Sequence, residues 1–358
     1  MKRIEGRIVF LDYMRIFAFI SVLIGHKFYI ELLESTVNPN IHSTLKVFIS
    51  LLLPVTAAGG AGVVVFFLTS GYIITHVLSA ERPVEFLIKR VFRIYPLYAF
   101  AVIMQVLLES YVQGISMPSL GVLIPRLLLI GDFLGTPMGL GGVEWTLRIE
   151  VVFYLFMALL SWIGCLSVPK VMPLIYVLTT LSLYLAQPFP SAPGLSLGYF
   201  TLYAPFLFIG SLIYLAHVKL ISAALSWFAG ALIVLVFLLE VPVIQPNWKD
   251  QNFAVLAIAI FMMAYSYMDR LADGALIRLL SNLTYSVYLF HNWIWGYVGI
   301  LVDKVGVLSI PRSFQILVVL FVLCYLAHRT IERYGLHVGK KALAIYNEKN
   351  ALRIIARQ

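Results

Sequence analysis

The residues able to do chemistry stand where an apolar chain should not carry them. The segment RIVFLDYMRIFAFISVLIGHKFY holds Asp12, Arg15 and His26 in an otherwise hydrophobic run from Ile8 to about Tyr29. Ionisable side chains inside a membrane span are expensive and by default mark a function. Arg15 and His26 are 11 residues apart. At about 100° per residue that is close to three turns, so both project from one face, about 16 Å apart along the axis. Asp12 precedes Arg15 by three residues, where the two side chains can meet and neutralise each other. An imidazole near neutral at working pH can take the proton of a hydroxyl, or accept an acyl group as a transient nucleophile. Taken singly, a satisfied interhelical histidine and a snorkelling arginine are the plainer readings. Taken as one stripe with a charged partner, the set favours function.

Further candidates follow along the chain. In EFLIKRVFRIYPLY, Lys89, Arg90 and Arg93 share one side of a short helix, and Tyr95 with Pro96 opens the next apolar run. Three clustered cations suit a multiply charged phosphate ligand, and they equally suit an ordinary anchor on the cytoplasmic face. In GLGGVEWTLRIEVVFYLF, Glu150 falls among residues entering the membrane, with Trp145, Glu144 and Arg148 close by. A carboxylate there can pair Arg148, orient a histidine or bind sugar hydroxyls; the plainer alternative is an interfacial anchor with Trp145 and Tyr154 as aromatic belt. In SNLTYSVYLFHNWIWGY, Tyr285, Tyr288 and His291 make a polar stripe at three-residue spacing. Glu332, flanked by Arg329 and Arg333, reads as a structural ion pair.

The elements that must position these groups are set by composition. The 358 residues are 61% hydrophobic and 12% charged, with a mean hydropathy of +0.94. That describes a polytopic membrane protein. The expected fold class is all-α, a transmembrane helical bundle of about ten spans. They run Ile8–Tyr29, Gly59–Leu78, Ile94–Val112, Trp145–Leu166, Met172–Leu185, Phe200–Ala216, Ala223–Leu239, Phe253–Met268, Ser286–Val302 and Phe314–His328. No period-2 alternation is present, which excludes a β-barrel. Leu45–Pro54 and Leu120–Phe133 are apolar but too short to cross, and read as interfacial or re-entrant pieces.

Charge sets the orientation. With the N-terminus inside, the far side holds only Lys27, Lys46, Arg126, Arg148, Lys249, Lys304 and Arg312 of the 26 Lys and Arg. That asymmetry predicts both termini in the cytoplasm. The net charge of +9 does not signal nucleic acid, because the basic residues lie between apolar runs instead of forming a hydrated patch. The expected organisation is one transmembrane domain over 1–336, then a basic amphipathic cytoplasmic tail over 337–358 lying along anionic membrane lipid. Cys165 and Cys324 fall in apolar stretches, so neither a disulfide framework nor a metal site is expected.

The set LDYMR…H, FFLTSGYIIT with KRVFRIYP, WTLRIEVVFY, YSVYLFH and the terminal IER resembles the acyltransferase-3 family of bacterial integral membrane acyltransferases, over almost the whole chain and in the right order. The family's Arg, ten residues, His signature falls on Arg15 and His26, and its Arg-x-x-Arg element on Arg90 and Arg93. Two departures stand out: Tyr13-Met14 replaces the usual small residues, and Arg148 and Val151 flank Glu150 where uncharged and acidic residues are commoner. The resemblance implies transfer of an acyl group, commonly acetyl, from cytoplasmic acetyl-CoA or another acyl-CoA to a hydroxyl of an envelope or exported glycan, in the bacterial inner membrane. On that implication His26, with Arg15 and Asp12, is catalytic. Lys89, Arg90, Arg93 and Tyr95 hold the donor, while Glu150, Trp145, Tyr285, Tyr288 and His291 serve the acceptor or orient it, and no metal is needed. The competing class is a transporter or flippase of lipid-linked glycan, which also needs polar groups in spans but no coenzyme A site; the absence of an obvious inverted repeat weighs against it.

Overall fold

In hydrocarbon a backbone must satisfy its own hydrogen bonds, so each apolar run of sufficient length folds as a helix. The computed structural model describes residues 6–191, 197–248, 252–307 and 309–355, and among these there are helices and no strands. In chain order the helices are α1 (Val9–Lys27), α2 (Tyr29–Val37), α3 (Ser43–Thr56), α4 (Gly60–Leu78), α5 (Pro83–Gln113), α6 (Leu120–Leu127), α7 (Glu144–Trp162) and α8 (Met172–Leu185). They continue with α9 (Tyr199–His217), α10 (Ala223–Ile244), α11 (Phe253–Ser266), α12 (Ala275–Phe290), α13 (Ile294–Val305), α14 (Arg312–Ala327) and α15 (Arg333–Ile355). Among the described residues seven helices, two of them continuing through a kink or π-turn, are long and apolar enough to cross a membrane, and Pro169–Leu185, Phe253–Ser266 and Ala275–Phe290 are shorter apolar helices.

The chain divides into two compact units. The first takes Met1–His76 and Gly164–Thr284, and the second Val77–Ile163 and Tyr285–Gln358. In the first unit, α4 and α9 meet through reciprocal glycines. A Cβ at Gly71 would strike the Leu207 carbonyl oxygen, and one at Gly210 would strike that of Leu68. Both contacts are to backbone, which cannot rotate away, so small residues let these helices touch. Gly71→Ala is therefore expected to destabilise the fold by about 1–3 kcal/mol through overpacking, measured as a lower melting temperature in detergent.

In the second unit the chain after α5 turns back along it. The Tyr98 hydroxyl donates to the Arg126 carbonyl at 2.7 Å, and that of Tyr95 to the Leu128 carbonyl at 3.2 Å. Gln105 Oε1 accepts from the Leu140 backbone at 2.6 Å. Eighteen residues of α5, about 27 Å of helix, separate Gln113 from Tyr95. The segment expected to be interfacial or re-entrant thus runs back along most of α5.

Two expectations change. The span expected at Ser286–Val302 is broken: α12 begins at Ala275 and ends at Phe290, and His291–Trp293 is a turn before α13. Local side-chain bonds compete with the helix there. His291 Nδ1 bonds the Tyr288 carbonyl at 2.7 Å, and Asn292 Nδ2 donates to the Gly141 carbonyl at 2.6 Å. The tail is a continuous helix from Arg333, whose first turns lie on α5 through Gly335 against Pro96 and Gly339 against Phe92.

Candidate functional site

The first unit contains the Asp12–Arg15–His26 stripe. On α1 the stripe positions between Arg15 and His26, including Ala18, Phe19 and Val22, are buried. Glycines of the neighbouring segment cover them, Gly59 meeting Val22 and Gly62 meeting Ala18 and Ser21. Arg15 is a third exposed and His26 is exposed, so the two groups stand at the open ends of a sealed face. Asp12 is 3% exposed, and its closest cation is not the one expected. Arg7 Nε donates to Asp12 at 2.5 Å, Ser281 Oγ donates at 2.6 Å, and Arg15 Nη1 stands off at 3.9 Å. Arg7 precedes the helix and reaches back over its first turn, a geometry that i,i+3 counting does not anticipate.

His26 is anchored by strained backbone. Its imidazole donates to the carbonyl of Ala58, which sits in the turn Ala57–Gly59 joining α3 to α4. Ala58 has φ 48°, ψ 15°, a left-handed conformation that an L side chain adopts at a cost. Gly25 permits the approach: a Cβ there would collide with the Thr56 carbonyl oxygen and the Gly59 nitrogen. Strained non-glycine residues concentrate at functional sites, and this one touches the proposed reactive group. Sequence reading missed Ala58, although AAGG hints at an unusual turn. Ala58→Gly should fold as stably as the parent to within about 1 kcal/mol, whereas Ala58→Val should lose about 1–3 kcal/mol; thermal unfolding in detergent distinguishes them.

The second unit gathers most of the other candidates. The Arg90 guanidinium lies over the rings of Phe86 and Tyr154, 5.2 and 5.8 Å from their centroids. Among the described residues it has no acid within ion-pair distance, and its Nε is buried without a hydrogen-bond partner. Arg93 Nη1 is 3.4 Å from Glu332 Oε1. Glu332 is 1% exposed, and His328 Nδ1 holds its other oxygen at 2.8 Å. A π-helical turn, His328–Glu332, presents these two residues together; such turns often mark functional sites. The ion pair expected between Glu332 and its flanking arginines is thus replaced by one with Arg93. Arg329 instead stacks on Tyr325 at 5.6 Å.

Glu150 is buried and accepts a hydrogen bond from Tyr154, a ring in the field of both Arg90 and Arg93. Tyr285 lies in the field of Glu332, Glu150 and Arg93, and its hydroxyl donates to the Ile94 carbonyl at 2.8 Å. Tyr288 shares a 2.7 Å hydroxyl bond with Thr146 and also senses Glu150. His291 is buried at the end of the same helix, and Trp145 is half-buried at the start of α7. Arg90, Arg93, Glu150, Tyr154, Tyr285, Tyr288 and Glu332 therefore form one polar cluster inside the second unit.

Two assignments shift. Lys89 is bound to Glu81 at 2.6 Å, away from this cluster, whereas Tyr95, bonded to the Leu128 carbonyl, stays in the field of Tyr285. Arg148 does not pair Glu150; it is clamped between Glu144 and Asp132. Tyr154 and His328 were missed as site residues. Each stands four residues from its carboxylate, a spacing that makes them helical neighbours. Chemically, the cluster offers an unpaired cation for a phosphate, a second cation held by an internal carboxylate, and several hydroxyl donors. Among the described residues no group of three His, Cys, Asp or Glu side chains could hold a metal.

Against this geometry, the family model described as an acyltransferase domain, that of the acyltransferase-3 family, matches residues 8–329. No curated protein and no solved structure matches the chain.

Proposed function

We propose that this chain, which belongs to the acyltransferase-3 family, moves an acyl group, acetyl in the simplest case, from cytoplasmic acyl-CoA to a hydroxyl of an envelope or exported glycan. It is a multi-pass membrane acyltransferase. The charge asymmetry of its loops supports both termini in the cytoplasm and an even number of spans, for which the apolar runs suggest ten, and the family resemblance supports the bacterial inner membrane.

The observation that carries the reading is His26, an exposed residue whose imidazole is held by strained backbone at the end of a membrane helix that also bears Arg15. In the reaction the acceptor oxygen attacks the thioester carbonyl. A C–O bond forms and the C–S bond breaks. His26 takes the hydroxyl proton as general base and passes it to the departing thiolate, so coenzyme A leaves as the thiol. The same imidazole could instead carry the acyl group between the two partners. Arg90, and Arg93 once it leaves Glu332, would bind donor phosphates through charge-assisted hydrogen bonds. Glu150 and the tyrosines of the second unit supply hydrogen-bonding groups for orienting a polyhydroxyl acceptor.

The test is thermal stability of the detergent-solubilised protein with acetyl-CoA. A ligand that binds only the folded state must stabilise it, by about 2.7 kcal/mol at a hundredfold excess over Kd. A rise in melting temperature is expected. No shift, accompanied by altered glycan export on deletion, would favour a transporter.

A further inference from the structure

The transfer reading leaves one buried cation unused. Arg126, in the last turn of α6, is 8% exposed. Its Nη2 donates to the Pro137 carbonyl at 3.3 Å, and its Nε is buried without an acceptor. Among the described residues it has no carboxylate within ion-pair distance. The acids of the surrounding elements are committed elsewhere. Glu144 and Asp132 both clamp Arg148, Glu144 also accepts from Tyr98 at 3.1 Å, and Glu109 accepts from Gln105 at 2.7 Å. Arg148, equally buried, thus has two counter-ions where Arg126 has none.

The loop between them is built around these guanidinium groups. A Cβ at Gly139 would lie 3.0 Å from Arg126 Nε, and one at Gly131 would meet Thr136 Oγ1 and lie 2.7 Å from Arg148 Nη2. Glycine at both positions lets the chain close over the charges. The Thr136 hydroxyl is itself buried without a partner. Around these groups Phe133, Leu134, Gly135 and Pro137 are exposed, so the buried cation lies just under the surface of its unit. Burying a cation without an anion is strongly unfavourable. A fold that keeps one is incomplete without an anion from outside.

We propose that Arg126 binds an oxyanion of the acyl acceptor, either the carboxylate of an acidic sugar or a phosphate ester. The assignment to the acceptor rests on the transfer reading, in which Arg90 and Arg93 already serve the donor phosphates. An acceptor with a fixed negative charge would thereby be selected over a neutral glycan.

The test compares wild type with Arg126→Met, both as full-length purified protein, in chloride, glucuronate and inorganic phosphate at equal ionic strength. In chloride, Arg126→Met should melt no lower than wild type, because it removes an uncompensated buried charge. Glucuronate or phosphate should raise the wild-type melting temperature by about 2 °C or more beyond its effect on the variant. A glucuronate difference assigns a carboxylate, and a phosphate difference a phosphate ester. A variant melting well below wild type in chloride, or anions acting equally on both proteins, would overturn the proposal. Acetyl-CoA is run alongside. Stabilisation kept in Arg126→Met fits an acceptor site, and stabilisation lost would overturn that assignment in favour of the donor. A wild-type protein that ignores acetyl-CoA would sink the transfer reading while leaving the anion result to stand or fall by itself.

Discussion

Replacing His26 with alanine is expected to lower acyl-transfer turnover at least about 100-fold while the protein still accumulates in the membrane and still binds its donor. A positioned general base contributes typically about 10²–10⁴-fold, and a histidine that carried the acyl group itself would leave nothing measurable. The substitution should spare the fold for reasons visible in the structure. His26 is exposed as a residue, so removing its ring opens no enclosed cavity. Its bond to the Ala58 carbonyl contributes about 0.5–1.5 kcal/mol net, and water can replace the donor at an exposed site. Turnover and donor-induced stabilisation should therefore separate cleanly in this variant. A His26→Ala protein that failed to accumulate would instead assign the residue to packing.

Arg90→Ala is expected to raise the donor KM by roughly 10- to 150-fold with a smaller change in turnover. That range follows from losing one charge-assisted hydrogen bond to phosphate, about 1.5–3 kcal/mol. Arg90 should be the more sensitive member of its pair. It has no acidic partner among the described residues and already stacks on Phe86 and Tyr154, so it meets an anion without breaking another contact. Arg93 must first give up the buried Glu332 carboxylate, and part of its binding energy is offset by that exchange. Donor titrations on Arg90→Ala and Arg93→Ala, read as melting shifts or as KM, measure the difference. Equal losses in the two variants would show that the Glu332 contact costs the donor nothing.

Much of the architecture was legible because a bilayer permits so little. A membrane-embedded backbone must be helical or closed into a barrel, so apolar runs and their lengths locate the helices. The α1 stripe was legible for the same reason, since three ionisable groups in one span demand an explanation. Pairings across the sequence were not. Arg93 and Glu332 are 239 residues apart, and nothing in IER announces that its glutamate turns inward through a π-helical turn. Asp12 was given to Arg15 by helical spacing, yet Arg7 lies outside the helix and is free to reach it more closely. Arg148 was offered to Glu150, two residues away and so on another face of α7, while Glu144, four residues back, shares its face. The break at His291–Trp293 has no glycine or proline to signal it; it depends on side-chain bonds to backbone, one of them to a distant loop.

The most direct test of the account is the O-acyl content of the producing cell's surface glycan, read by mass spectrometry with wild-type protein and with His26→Ala at matched membrane levels. The account predicts that a fixed acyl mass present with wild type is lost with the variant, and that this mass names the donor. Unchanged acylation with His26→Ala would contradict the assignment of His26, and a glycan changed in export but not in acyl content would contradict transfer itself.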